Sequence, residues 1–117
     1  EAKEVADDIE EIALRLTTLY LEQERFDQVL DWQNEEVETV VTRWNIARAL
    51  AALEKTEEAV SAYQELYEDL KDNPEFLEAY VYLLREAGDV TKAREVANQY
   101  LAIVPDDVQM QTLYDSL

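Results

Sequence analysis

The stretch EEAVSAYQELYEDL (residues 57–70) is followed 34 residues later by TKAREVANQYLAIV (residues 91–104), which carries the same apolar pattern. Apolar side chains coincide at this displacement in Ala59 and Ala93, Ala62 and Val96, Leu66 and Tyr100, Tyr67 and Leu101, and Leu70 and Val104. The first hairpin has the same order of a turn followed by a helix, and it is displaced from the next repeat by about 30 residues instead of 34. Recurrence at such a period predicts stacked helical hairpins.

The residues between the apolar stripes indicate where the helices begin and end. Seven stripes have helical spacing, and no segment alternates with period two over the length of a strand, so we predict seven helices and no sheet. Asn73 and Pro74 are typical of a helix start, and Gly88 suits the left-handed residue that ends that helix. Pro105 closes the sixth helix, and we expect Asp106 to cap the seventh.

Short turns connect these helices. Residues 22–25 and 53–56 are each expected to form a tight turn between successive stripes. Helices of about 12 to 16 residues joined by such turns pack as antiparallel neighbours. The second helix of the first hairpin is expected to be short and to become polar at Gln33, Asn34 and Glu35.

Composition excludes most kinds of catalysis. The chain of 117 residues has no cysteine and no histidine, which removes thiol and imidazole chemistry and the usual zinc ligands. A single glycine excludes a glycine-rich phosphate loop. Neighbouring acids such as Glu57 and Glu58 diverge around a helix, so we expect no metal site, no cofactor and no enzymatic activity.

The charge balance restricts the partners. The formal net charge is −18, which disfavours direct binding to nucleic acid or to an anionic membrane and favours a basic partner. No signal segment or apolar span is recognisable in the sequence, so we expect a cytoplasmic protein. The acidic surface is otherwise explained by solubility alone.

The quoted stretches resemble the tetratricopeptide repeat family, which places small residues where the two helices of a repeat cross. Ala59 and Ala93 occupy that small position, Ala47 stands at the family's glycine position and Pro105 at its terminal proline. The resemblance implies an all-α, right-handed array of antiparallel hairpins in a single domain over residues 1–117. Its repeats would cover about residues 10–39, 40–73 and 74–107, followed by a C-terminal helix at 108–117. The chain is either this domain alone or a piece of a longer protein.

In that family the first helix of each hairpin lines a concave groove. The resemblance places these residues along it: Leu14, Thr18, Leu21, Trp44, Arg48, Glu78, Tyr82 and Arg85. One known ligand site of that family is a clamp of basic and amide side chains that binds the acidic C-terminal tail of heat-shock chaperones. This sequence matches the clamp only at Asn45, and the other clamp positions fall on Leu14, Thr18, Glu75 and Ala79. A chaperone tail is therefore rejected as the ligand.

Two kinds of function remain open. The first is a non-catalytic interaction module that binds a peptide or helix of a partner protein, with Trp44 and Tyr82 as aromatic anchors. The alternative is an acidic protein that mimics nucleic acid towards a basic DNA- or RNA-binding protein. A third possibility is a structural segment of a longer solenoid, in which Leu113, Tyr114 and Leu117 pack on a following helix or on a second copy.

Overall fold

Seven helices follow one another in the computed structural model, which describes residues 2–32 and 39–117 and, within them, side chains from residue 10 onward. No strand occurs in these ranges, so the predicted all-α class and helix number are confirmed. The helices are α1 (Ala2–Glu22), α2 (Phe26–Leu30), α3 (Val40–Ala52), α4 (Thr56–Leu70), α5 (Pro74–Ala87), α6 (Val90–Ile103) and α7 (Val108–Ser116).

Helix lengths are less uniform than predicted. The first helix has 21 residues, whereas α2 has 5 and α7 has 9. A length of 12 to 16 residues is therefore wrong for these three, while the other four agree. The predicted polar continuation at Gln33, Asn34 and Glu35 lies outside the described residues.

Three helix ends share one turn geometry. Glu24, Glu54 and Gly88 have positive φ angles of 59°, 62° and 86°. In each turn this residue's N–H donates to the carbonyl three positions back, at 3.1 Å, and the next N–H donates to the carbonyl five positions back, at 2.8–3.0 Å. This is the Schellman pattern that satisfies the last carbonyls of a helix. The predicted turns after α1 and α3 and the left-handed Gly88 are confirmed.

Side-chain caps fix the starts of the later helices. The Asn73 Oδ1 accepts hydrogen bonds from the Glu75 and Phe76 amides, and Pro74 is the first residue of α5, as predicted. The seventh helix is capped by Asp107, so the prediction of Asp106 is wrong. One Asp107 oxygen accepts from the Met110 amide at 3.0 Å, and the other accepts from the Tyr100 hydroxyl at 2.5 Å. Asp106 and Asp107 are equally suitable as caps in the local sequence. The bond from Tyr100 of α6 favours Asp107.

The chain divides into two compact units, Glu1–Ala62 and Tyr63–Leu117, and the division falls inside α4. In the first unit α1, α2 and α3 contact one another. Small side chains allow these close contacts, since Ala13, Ala47 and Ala49 are fully buried. Val29 is the buried residue of α2. The predicted small residues at Ala59 in this unit and Ala93 in the other are both fully buried.

Aromatic rings form the core of the second unit. The Tyr63 ring stacks on Phe76 and Tyr80, with centroids 5.1 and 5.6 Å apart, and Phe76 and Tyr80 lie 5.8 Å apart. All three side chains are buried. Burial raises the pKa of the Tyr80 hydroxyl, because the charged form loses its hydration.

The seventh helix packs on α6 within the second unit. Met110 and Leu113 are only 1% and 8% exposed, so Leu113 is already covered. Tyr114 and Leu117 are half-buried, and packing of this end of α7 on a further helix or a second copy stays a prediction. Self-association through α7 stays a prediction.

Candidate functional site

The predicted site residues of the first unit lie on α1 and α3. Leu14, Thr18 and Leu21 follow one another at helical spacing, so they share one face of α1. Thr18 is exposed, and the two leucines are half-buried. The face therefore offers apolar surface around an exposed hydroxyl.

A buried amide ties this face to α3. Asn45 is 3% exposed, and its Nδ2 donates to the hydroxyls of Thr17 and Thr18 at 3.1 and 3.0 Å. The Thr17 hydroxyl in turn donates to the Ala13 carbonyl at 2.7 Å. Both amide hydrogens of Asn45 are thus used between helices, and sequence reasoning, which matched this residue only to a ligand clamp, missed this role.

Trp44 is buried, with 6% of its surface exposed. The Arg48 guanidinium lies over the indole, 3.6 Å from the ring centroid, which is a cation–π contact. Because Arg48 is half-buried, the outer surface here is formed by the planar cation more than by the ring. Contact of Trp44 with a partner stays a prediction.

The second unit carries the predicted residues of α5. Glu78, Tyr82 and Arg85 occupy one helix face at spacings of four and three, and all three are exposed. The Arg85 guanidinium lies 5.4 Å from the Tyr82 ring centroid. Tyr82 retains 39% of its surface, so an aromatic ring and a forked donor are presented side by side.

Two further residues accompany Glu78 and were missed from the sequence. The Tyr100 hydroxyl donates to Asp107 and also lies in reach of the Glu78 carboxylate. The hydrogen bond to Asp107 raises the pKa of Tyr100 far above its ordinary value, since it favours the protonated hydroxyl. The same bond and the Met110 amide lower the pKa of Asp107. Two carboxylates near one hydroxyl give this end of the α5 face an acidic, hydrogen-bonded edge.

The described residues show neither a metal-binding cluster nor a membrane-spanning helix. Among the described side chains, which are those of residues 10–32 and 39–117, no three aspartates or glutamates are grouped so that they could hold a metal ion. No described helix has the length and apolarity to cross a membrane.

A family model matches this chain over residues 41–107, which is more than half of its length. Its description is YpiA-like, C-terminal tetratricopeptide repeats. The chain belongs to the tetratricopeptide repeat family. Tetratricopeptide repeats generally mediate protein–protein interaction and are typically non-catalytic. No curated protein matches the sequence.

The matched segment of this tetratricopeptide repeat protein contains some of the candidate residues and not others. It includes the α3 and α5 residues, which are Trp44, Arg48, Glu78, Tyr82 and Arg85. The three α1 residues precede it. The positive-φ residues Glu54 and Gly88 within the match are 34 positions apart, which agrees with the period in the sequence.

Proposed function

We propose that this protein is a non-catalytic cytoplasmic module that binds a peptide or helix of a partner protein through the first helix of each hairpin. The contact residues are those on α1, α3 and α5: Leu14, Thr18, Leu21, Trp44, Arg48, Glu78, Tyr82 and Arg85. The observation that carries the proposal is the exposed Tyr82 ring beside the Arg85 guanidinium on α5. This helix is the first of its hairpin and lies within the segment that matches the family.

The chemistry of these side chains defines what the partner must supply. The Tyr82 ring offers rigid apolar area that loses little entropy on binding, as aromatic anchors do. Arg48 and Arg85 each hold a planar donor fork against an aromatic ring, which suits the backbone carbonyls or a carboxylate of a bound peptide. The partner therefore brings an apolar side chain for Tyr82 and backbone acceptors for the two arginines.

The overall charge favours basic residues elsewhere in that partner. The net charge of −18 attracts a cationic chain and speeds the encounter, an effect that added salt reduces. Glu78 lies one helical turn before Tyr82 and supplies negative charge there, and Asp107 is the second carboxylate that reaches the Tyr100 hydroxyl. A basic peptide with one apolar anchor is thus the proposed ligand class.

The test uses two double variants that remove the same residue types from different places. Tyr82→Ala/Arg85→Ala alters the proposed contact, and Arg25→Ala/Tyr114→Ala is the matched control outside it. Each tagged protein is used to capture partners from an extract of the source organism at low and at physiological salt. Circular dichroism verifies that each variant keeps its helical content.

The proposal expects a partner that survives physiological salt, is retained by the control and is lost from the Tyr82/Arg85 variant. Equal retention by both variants would place the contact elsewhere. Capture only of basic nucleic-acid-binding proteins that salt releases would favour the mimicry alternative instead.

A further inference from the structure

A cavity of about 270 Å³ opens between α1 and α2 in the first unit. Its α1 wall consists of Leu16 and Tyr20, which are one helical turn apart. The other wall consists of Gln28, Asp31 and Trp32, which belong to α2 and the turn that ends it. At ~100° per residue, Leu16 and Tyr20 lie on the opposite side of α1 from the residues of the proposed contact. The cavity is therefore separate from that contact.

The size and the exposure of this cavity suit one long side chain. Its volume is that of about nine waters at about 30 Å³ each. It is just below the ~300–1,000 Å³ that is typical of pockets for drug-sized ligands. Tyr20 and Trp32 are half-buried, so the fold holds their rings while they still offer surface, and Gln28 and Asp31 are exposed. The cavity thus combines two aromatic rings with two polar acceptors.

The charge around the cavity favours a cationic ligand. Among the five described residues that line it, Asp31 is anionic and none is cationic. In the sequence, the seven residues after Asp31 add three glutamates and no lysine or arginine. A cleft whose charges have one sign concentrates ions of the opposite sign. We therefore expect a positively charged group in this cavity.

Arginine fits these groups better than lysine or a quaternary ammonium. A guanidinium stacks on aromatic rings, and its planar set of donors can bond both the Asp31 carboxylate and the Gln28 amide oxygen, which are one helical turn apart. The protein itself uses this pairing, since the Arg48 guanidinium lies 3.6 Å from the Trp44 ring centroid. Among the described residues, neither ring of the cavity receives such a cation from this chain.

We infer that this cavity binds the side chain of an arginine of a partner protein. The guanidinium lies against Tyr20 and Trp32 and donates to Asp31, and its aliphatic stem packs on Leu16. A free amino acid is a poorer ligand, because its α-carboxylate meets no cation among the described lining residues. An apolar helix laid over the cavity would bury the Asp31 carboxylate without a counter-charge, which is costly. The inference does not depend on the proposed contact on α3 and α5.

The two tryptophans of the chain provide the readout. Trp32 lines the cavity, whereas Trp44 is buried beneath Arg48, so their indole N–H signals in a proton–nitrogen correlation spectrum serve as probe and internal control. Trp32→Phe assigns the two signals. The isotope-labelled protein is titrated with the N-acetyl amides of arginine, lysine and citrulline, and citrulline has the shape of arginine without its charge.

The arginine amide should shift the Trp32 signal in a saturable way and leave the Trp44 signal in place. We expect a dissociation constant of about 1–10 mM, as one cation–π site and one charge-assisted bond at a half-exposed cavity give. Citrulline amide should bind at least about tenfold more weakly, because both of these interactions need the positive charge.

A pair of matched variants tests the carboxylate. Asp31→Asn and Asp27→Asn each remove one exposed carboxylate, and of the two only Asp31 lines the cavity. We expect Asp31→Asn to weaken binding of the arginine amide by about five- to tenfold, and Asp27→Asn by less than about twofold. Circular dichroism verifies that both variants keep their helical content.

Several results would overturn the inference. One is no saturable shift of the Trp32 signal at about 100 mM arginine amide. Equal affinity for arginine and citrulline, or an equal loss in the two aspartate variants, would show that the cavity does not select the cation. Tighter binding of the lysine amide would assign an ammonium group instead. Free arginine that binds about tenfold more tightly than its amide would identify a small molecule as the ligand.

Discussion

Replacing Glu54 by glycine is expected to stabilise the protein. Glu54 has a φ of 62°, in the left-handed region that an L side chain enters at a cost of about 1–2 kcal/mol. The residue is exposed, and its turn is held by backbone bonds that glycine retains: its N–H donates to the Ala51 carbonyl at 3.1 Å, and the Lys55 N–H donates to the Leu50 carbonyl at 2.9 Å. The substitution therefore removes strain without removing these bonds.

The expected gain is smaller than the strain, because glycine increases the entropy of the unfolded chain. That entropy costs about 0.5–1 kcal/mol, so the free energy of unfolding should rise by about 0.5–1 kcal/mol. For a chain of this size the midpoint of thermal unfolding should rise by about 2–5 °C. Gly88→Ala tests the reverse change: Gly88 has a φ of 86° and no atom lies within 4 Å of an added Cβ, so its cost is one of backbone conformation. We expect a loss of about 1 kcal/mol there.

Urea unfolding followed by circular dichroism measures both effects, with Glu54→Gln as the control that removes the charge but keeps the side chain. A stabilisation of Glu54→Gln as large as that of Glu54→Gly would show that relief of acidic repulsion, and not backbone strain, is responsible. A lower midpoint for Glu54→Gly would refute the argument outright.

Three other substitutions test the packing described above. Trp44→Ala should lower the free energy of unfolding by about 3–5 kcal/mol, because the ring is buried beneath Arg48; near-native stability in urea would contradict this burial. Asn45→Ala should cost about 1–2 kcal/mol in the same assay, since two buried hydrogen bonds between α1 and α3 are lost, and an unchanged midpoint would argue against them. Asp107→Asn should destabilise at neutral pH. Because the folded-state pKa of Asp107 is lowered, its stabilisation is present above the unfolded pKa and is lost as pH falls through the folded one, so the wild-type and variant urea midpoints should converge in acid; a constant difference would refute the linkage.

Much of the candidate site on α5 is predictable because it depends on helical geometry alone. Spacing places Glu78, Tyr82 and Arg85 on one face, and the structure leaves all three exposed. The same reasoning selected Trp44 as an anchor, although its side chain is buried. A stripe of mixed apolar and polar residues specifies which side chains share a face, but not which neighbour covers them.

The repeat period and the helical class are determined by the order of apolar residues in the sequence. The cap at Asn73 and the left-handed Gly88 are also determined by the sequence, since they arise from bonds and backbone preferences within a few residues. Tertiary structure alone decides that Asp107 rather than Asp106 caps α7, because the choice depends on the Tyr100 hydroxyl. It also places Glu54 in a left-handed turn, against the preference of its side chain, because the hairpin must reverse at that position. Local preferences determine where helices start and stop. Contacts between residues distant in sequence determine which side chains are buried in the core and which remain available to a partner.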